Sequence, residues 1–290
     1  MVNPYEVLEG DTHGEVRSMR PSDQPNERGN RASLALVAVF LLGYVAILFG
    51  ASVPKAMVPP EFADLTWGTL ASLGIVALTR LVTRRDRSQS PARSTGASAR
   101  QFLAGATLGF AVYALVIAAI SIGVGPLRVS PTAAPTPVAS VITIVGFFAL
   151  SCMEELGFRG YPLRTLVSVF DERIGVLVVS ILFAASHILF GWPWQAVLLG
   201  VLPSGVLFGV AAVVSGGLAM PVGVHMALNV AQWIAGEKER PGFFTVVLDP
   251  DRAAQGAAVA PIVGATVPLL IAMALWRWYP RNSHSRRSDT

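Results

Sequence analysis

Eight apolar stretches of about twenty residues dominate the sequence, and a run of that length is what a helix needs to cross a hydrocarbon core of about 30 Å. They fall at approximately Ala32–Val53, Phe62–Thr83, Gln101–Gly125, Val138–Phe158, Ile174–Phe190, Gln195–Ser215, Gly217–Ile234 and Ala257–Tyr279. Lipid offers no water to backbone N–H and C=O groups, so a spanning segment must be a helix or part of a closed barrel. Barrel strands alternate in hydropathy over about ten residues, whereas these runs are unbroken. The expected fold class is therefore all-α, a polytopic membrane helix bundle of about eight transmembrane helices. With 14% charged residues, the chain is far from the roughly 25% of soluble domains.

The formal charge of +4 would permit a nucleic-acid partner. The Arg residues instead cluster at span ends with no aromatic–basic motif beside them, so membrane lipid is the expected partner and nucleic acid is not. Arg80, Arg84, Arg85, Arg87, Arg93 and Arg100 bracket the second loop, and Arg277, Arg281, Arg286 and Arg287 follow the last span. The first loop carries only Lys55 and the third only Arg128. Cytoplasmic loops hold the excess of Lys and Arg, which puts both termini in the cytoplasm and the chain in the cell (plasma) membrane, its first span an uncleaved anchor. The sequence divides into a disordered polar tail (1–31), N-terminal transmembrane helices (32–125), a core (138–234), a last helix (257–279) and a basic tail (280–290).

Between the fourth and fifth spans, Leu163, Leu166, Val167 and Phe170 recur at i, i+3, i+4 and i+7, the spacing of one helical face. A helix lying at the membrane interface is expected there. Trp192 and Trp194 read as residues of an aromatic belt, and Gly105-xxx-Gly109 and Gly205-xxx-Gly209 as sites of close helix packing.

Two adjacent carboxylates, Glu154 and Glu155, end the fourth apolar run. A charge at bilayer depth costs roughly 2.5–3.5 kcal/mol on insertion scales, and such residues mark function by default. Glu155 and Arg159 are i and i+4 with the acid first, the favourable order for a helical ion pair. Neighbouring helical residues differ by about 100°, so Glu154 projects elsewhere, available as a general base. His187 lies one turn after Phe183 in the fifth span, and His225 and Asn229 share a face of the seventh. The other histidines, His13 and His284, sit in the tails. A carboxylate to activate water, an imidazole to orient it and further donors for an oxyanion make a parts list for peptide-bond hydrolysis. Cys152 is expected to pack.

The motifs Glu154-Glu155-xxx-Arg159, Phe183-xxx-His187 and His225-xxx-Asn229, in this order on successive spans, resemble those of the CPBP family, the type II CAAX prenyl endopeptidases and their bacteriocin-processing and immunity relatives. The resemblance covers about Val138 to Ile234. It implies a helical bundle enclosing an intramembrane catalytic cavity, and a peptidase acting on a membrane-associated or hydrophobic peptide or protein. It also implies Glu154 as the water-activating residue supported by Arg159, His187 as a water ligand, and His225 with Asn229 as the oxyanion site.

Glu154, His187 and His225 also make up the two-histidine, one-carboxylate set of many zinc hydrolases. The residues leave zinc and metal-free glutamate chemistry both open, with the latter preferred. An ion-coupled transporter and a catalytically silent immunity or scaffold protein are the competing functions. At about 1.5 Å per residue, these spans set Glu154 near the cytoplasmic end and His187 about 20 Å in. They meet only if the fourth span continues past Gly160 or the amphipathic segment dips into the bundle.

Overall fold

The structure, a computed structural model, describes residues 27–84 and 98–279. Most of the expected polar tail, the Arg-rich stretch 85–97, and the basic tail 280–290 lie outside the described residues, with His13 and His284 among them. The fold is an all-helical bundle: α1 (Glu27–Met57), α2 (Ala63–Thr83), α3 (Ser98–Gly123), α4 (Pro137–Glu155), α5 (Tyr161–Val169), α6 (Glu172–Leu189), the short α7 (Trp194–Ala196), α8 (Leu202–Ser215), α9 (Ala219–Ile234) and α10 (Ala253–Trp278). Helix α1 begins at Glu27, so residues 27–31 extend the first span rather than the tail. Among the described residues, seven helical segments are long and apolar enough to cross a membrane, and the chain is an integral membrane protein.

The seventh expected span, α9, is the exception. Its 16 residues reach about 24 Å, less than the hydrocarbon thickness. It need not match that thickness, because Val222, Val224, Ala227, Val230 and Trp233 bury it inside the bundle. Helix α3 lies along it in the most extensive pairing of the fold. Glycines allow the approach: a Cβ on Gly105 or Gly109 would collide with the carbonyl of Met220 or Val224, and one on Gly223 with that of Phe102.

Two π turns interrupt the helices, Leu156–Gly160 between α4 and α5 and Val197–Val201 between α7 and α8. Each precedes a proline, Pro162 and Pro203, by the same offset. A proline has no N–H and clashes with the carbonyl four residues back, here Phe158 and Leu199, both inside the π turns. The wider i→i+5 turn accommodates that clash without ending the helix. The fourth span thus continues past Gly160 through Val169 as one segment. The expected interfacial helix is its continuation, and Tyr161, Leu163, Thr165 and Leu166 are buried against the bundle while Phe170 is exposed. Local periodicity found part of the buried face, Leu163 and Leu166; where that face docks was not in it.

Two loops pair as an antiparallel ribbon, β1 (Leu127–Pro131) with β2 (Phe244–Leu248), in the register Leu127↔Leu248 to Pro131↔Phe244. Arg128 pairs with Asp249, and Arg252 donates to the Val124 carbonyl. This ribbon ties the end of α3 to the start of α10.

Close α3–α9 packing sets a prediction. Gly109→Val overpacks the interface and lowers stability by about 1–3 kcal/mol, read as a lower thermal midpoint of the purified protein in detergent. Gly50→Val, where a Cβ meets nothing within 4 Å, leaves the midpoint unchanged.

Candidate active site

Glu154 and Glu155 close α4, and the π turn after them carries Arg159 inward. Glu155 and Arg159 are fully buried, with Arg159 Nη1 3.3 Å from Glu155 Oε1. Arg159 Nη2 donates to the Gly205 carbonyl at 2.8 Å. The rings of Phe183 and Phe208 lie 4.5 and 5.5 Å from the guanidinium carbon, within range of cation–π attraction. The Tyr44 ring from α1 packs onto Gly157, where a Cβ would strike it.

His225 joins the two carboxylates. Its Nδ1 is 2.9 Å from Glu155 Oε1 and its Nε2 3.6 Å from Glu154 Oε2. Only an acceptor stands opposite Nδ1, so that nitrogen carries the proton and donates. The imidazole is stacked on Phe208, centroids 4.6 Å apart and planes 16° from parallel. Glu155 is therefore more than a counter-ion for Arg159: it also orients the histidine that faces Glu154. The buried Glu154 Oε2 has no hydrogen-bond partner among the described residues, since 3.6 Å is too long for one.

His187 stands near the end of α6. Its Nδ1 donates to the Phe183 carbonyl at 2.9 Å, which leaves Nε2 of the neutral ring as an acceptor. Phe183 and Trp192 meet the imidazole edge-on at 4.8 and 5.2 Å. Trp192, read as an aromatic-belt residue, is thus part of the surroundings of His187. Asn229 shares the His225 face of α9, and its Oδ1 accepts from Lys238 Nζ at 2.9 Å. Burial pushes the Lys238 ammonium below its ordinary value, against the opposing pull of Glu154, Glu237 and Asp64.

Glu154, His187, His225 and Asn229 line one cavity of about 830 Å³, a size typical of ligand sites. Their common depth follows from the continuation of α4 through its π turn. Glu155 and Arg159 stand behind this wall. Among the described residues no group of three or more His, Cys, Asp or Glu side chains is placed to hold a metal ion. As arranged, Glu154, His187 and His225 do not fit a zinc ligand set.

Sequence reasoning missed Lys238, Phe208 and the Gly205 carbonyl. Only Lys238 left a trace, as one of just two lysines in the chain, within the charged run Glu237 to Arg240.

Residues 135–231 match the family model described as type II CAAX prenyl endopeptidase Rce1-like. That segment contains Glu154, Glu155, Arg159, His187, His225 and Asn229, while Tyr44 and Lys238 lie outside it. No curated protein and no solved structure matches the chain.

Removing the Arg159 guanidinium would strand a buried carboxylate. Arg159→Met is expected to lose about 3–5 kcal/mol, measured by thermal unfolding in detergent. Adding Glu155→Gln to it recovers part of that loss.

Proposed function

We propose that this integral membrane protein, with its CAAX-endopeptidase-like segment at 135–231, is an intramembrane endopeptidase. It hydrolyses a peptide bond of a membrane-associated or hydrophobic peptide or protein. The observation that carries the reading is the approach of Glu154 Oε2 to within 3.6 Å of His225 Nε2 on the cavity wall, the histidine being fixed from behind by the Glu155–Arg159 ion pair.

Glu154 is the general base: it takes a proton from water as the water oxygen attacks the scissile carbonyl carbon. His187, whose Nε2 can only accept while neutral, holds the other hydrogen of that water. The developing oxyanion is met by His225 in its protonated form, donating from Nε2, and by the Asn229 amide. Glu155 stabilises the imidazolium, as a buried carboxylate does in hydrolytic triads. The C–N bond then breaks, and Glu154 returns its proton to the leaving amine. Every atom and proton is accounted for by water, substrate and these side chains.

The positive-inside argument supports both termini in the cytoplasm. The ribbon β1–β2 and the loop 235–243 then belong to the outer face.

A peptide library presented to the protein in liposomes tests the reading. Glu154→Gln is expected to slow cleavage about 10²–10⁴-fold, and Asn229→Ala about 10²–10³-fold. If Glu154→Gln and His225→Ala both cleave as fast as the parent protein, the assignment fails.

A further inference from the structure

One hydrogen bond ties the candidate site to a loop beyond the matched segment. Lys238 Nζ donates to Asn229 Oδ1 at 2.9 Å. An ammonium has donors only, so this contact decides which end of the amide faces the loop and turns the Asn229 N–H groups away from it. The loop holding Lys238 is itself fastened at several points. Glu237 accepts from the Tyr113 hydroxyl at 2.7 Å. Arg240 pairs with Asp64 at 3.0 Å and donates to the Pro60 and Glu61 carbonyls, each at 2.9 Å. The Trp233 indole donates to the Pro241 carbonyl at 3.0 Å. Gly236, at φ +77°, turns the chain out of α9 in a conformation that other residues rarely adopt. Lys238 is thus delivered to Asn229 by a defined backbone path anchored on α2, α3 and α9.

We propose that Lys238 is a positioning residue, locking the Asn229 amide so that its N–H donors face the oxyanion site. The role rests on the endopeptidase reading; the bond itself does not. A carboxamide released from Lys238 can rotate by 180° and present its oxygen to a developing negative charge, replacing attraction with repulsion.

Full-length protein in liposomes tests this in two arms. Lys55 and Lys238 are the only lysines in the chain, so acetylation by a sulfosuccinimidyl ester, followed by mass spectrometry, reads Lys238 against an internal reference. Asn229→Leu is expected to raise the Lys238 rate severalfold relative to Lys55; an unchanged ratio overturns the proposal. The kinetic arm uses the internally quenched library peptide that the parent protein cleaves fastest. Lys238→Met is expected to lower kcat about tenfold at constant KM, a fraction of the loss typical of a deleted oxyanion donor, and Lys238→Arg to restore part of it. Lys238→Met combined with Asn229→Ala should fall no further than Asn229→Ala alone. A change confined to KM, or additive losses, overturns it. A parent protein that cleaves no peptide sinks the endopeptidase reading, and the labelling ratio still decides whether Lys238 holds Asn229.

Discussion

The Glu155–Arg159 ion pair is the interaction on which the rest of the site depends. Both side chains are fully buried, and neither charge can be tolerated there without the other. The pair joins elements far apart in sequence: the end of α4, the π turn, α8 through the Gly205 carbonyl, and α9 through His225. Aromatic rings complete the enclosure, with Phe183 and Phe208 against the guanidinium and Phe208 also beneath the imidazole. A helix bundle in lipid has little hydrophobic force between its helices, because lipid tails are as apolar as leucine. A charged cluster of this kind can then hold α4, α8 and α9 in a single arrangement where apolar packing alone would permit sliding.

Two prolines make that arrangement reachable. Pro162 and Pro203 each widen the preceding turn into a π turn. One of these turns carries Arg159, and the other lies just ahead of Gly205, whose carbonyl receives it. Without the first, the fourth span would end near the acid pair and Glu154 would lie near a membrane face. With it, the helix carries on to Val169, and the acid pair stays inside the bundle beside His225.

The spans and the motif residues were legible because hydropathy over twenty residues and i, i+4 spacing are local properties. The Glu155–Arg159 contact follows from spacing within one helix and was read in that way. The second role of Glu155, as partner of His225, joins residues 70 positions apart and depends on how α4 and α9 cross, which no local pattern encodes. Helix α9 read as a span like the others because a buried helix and a lipid-facing one are equally apolar; that its 16 residues make it the short, enclosed one is visible only once its neighbours are in place. The ribbon β1–β2 was illegible for a similar reason, since Leu127–Pro131 finds its partner strand only at Phe244–Leu248. Lys238 sat in a run of charges that resembles any solvated loop. Its meaning comes from Gly236 and Arg240, which fold that loop back onto the cavity.

The cavity wall has two sources, and the division bears on selectivity. Glu154, His187, His225 and Asn229 come from the segment that matches the endopeptidase family. Tyr44, Asp64, Tyr113, Lys238 and Pro268 come from α1, α2, α3, the loop after α9, and α10, all outside it. The proposed hydrolysis needs the first group in fixed relation to one another, and the ion pair with its aromatic cage holds His225 in place. Of the second group, Lys238 is tied to Asn229 and shares that requirement, whereas Tyr44, Asp64, Tyr113 and Pro268 face whatever else occupies the cavity. A peptide bond is the same in every substrate, so discrimination among peptides has to come from contacts with side chains and chain ends. On the proposed reading, those contacts are shared between the flanking helices and lining residues of the matched segment such as Phe147, Trp192 and Phe208. If the chain is the proposed endopeptidase, exchanging the flanking residues Tyr44, Asp64, Tyr113 and Pro268 should change which peptide is cut while leaving Glu154, His187, His225 and Asn229 in place.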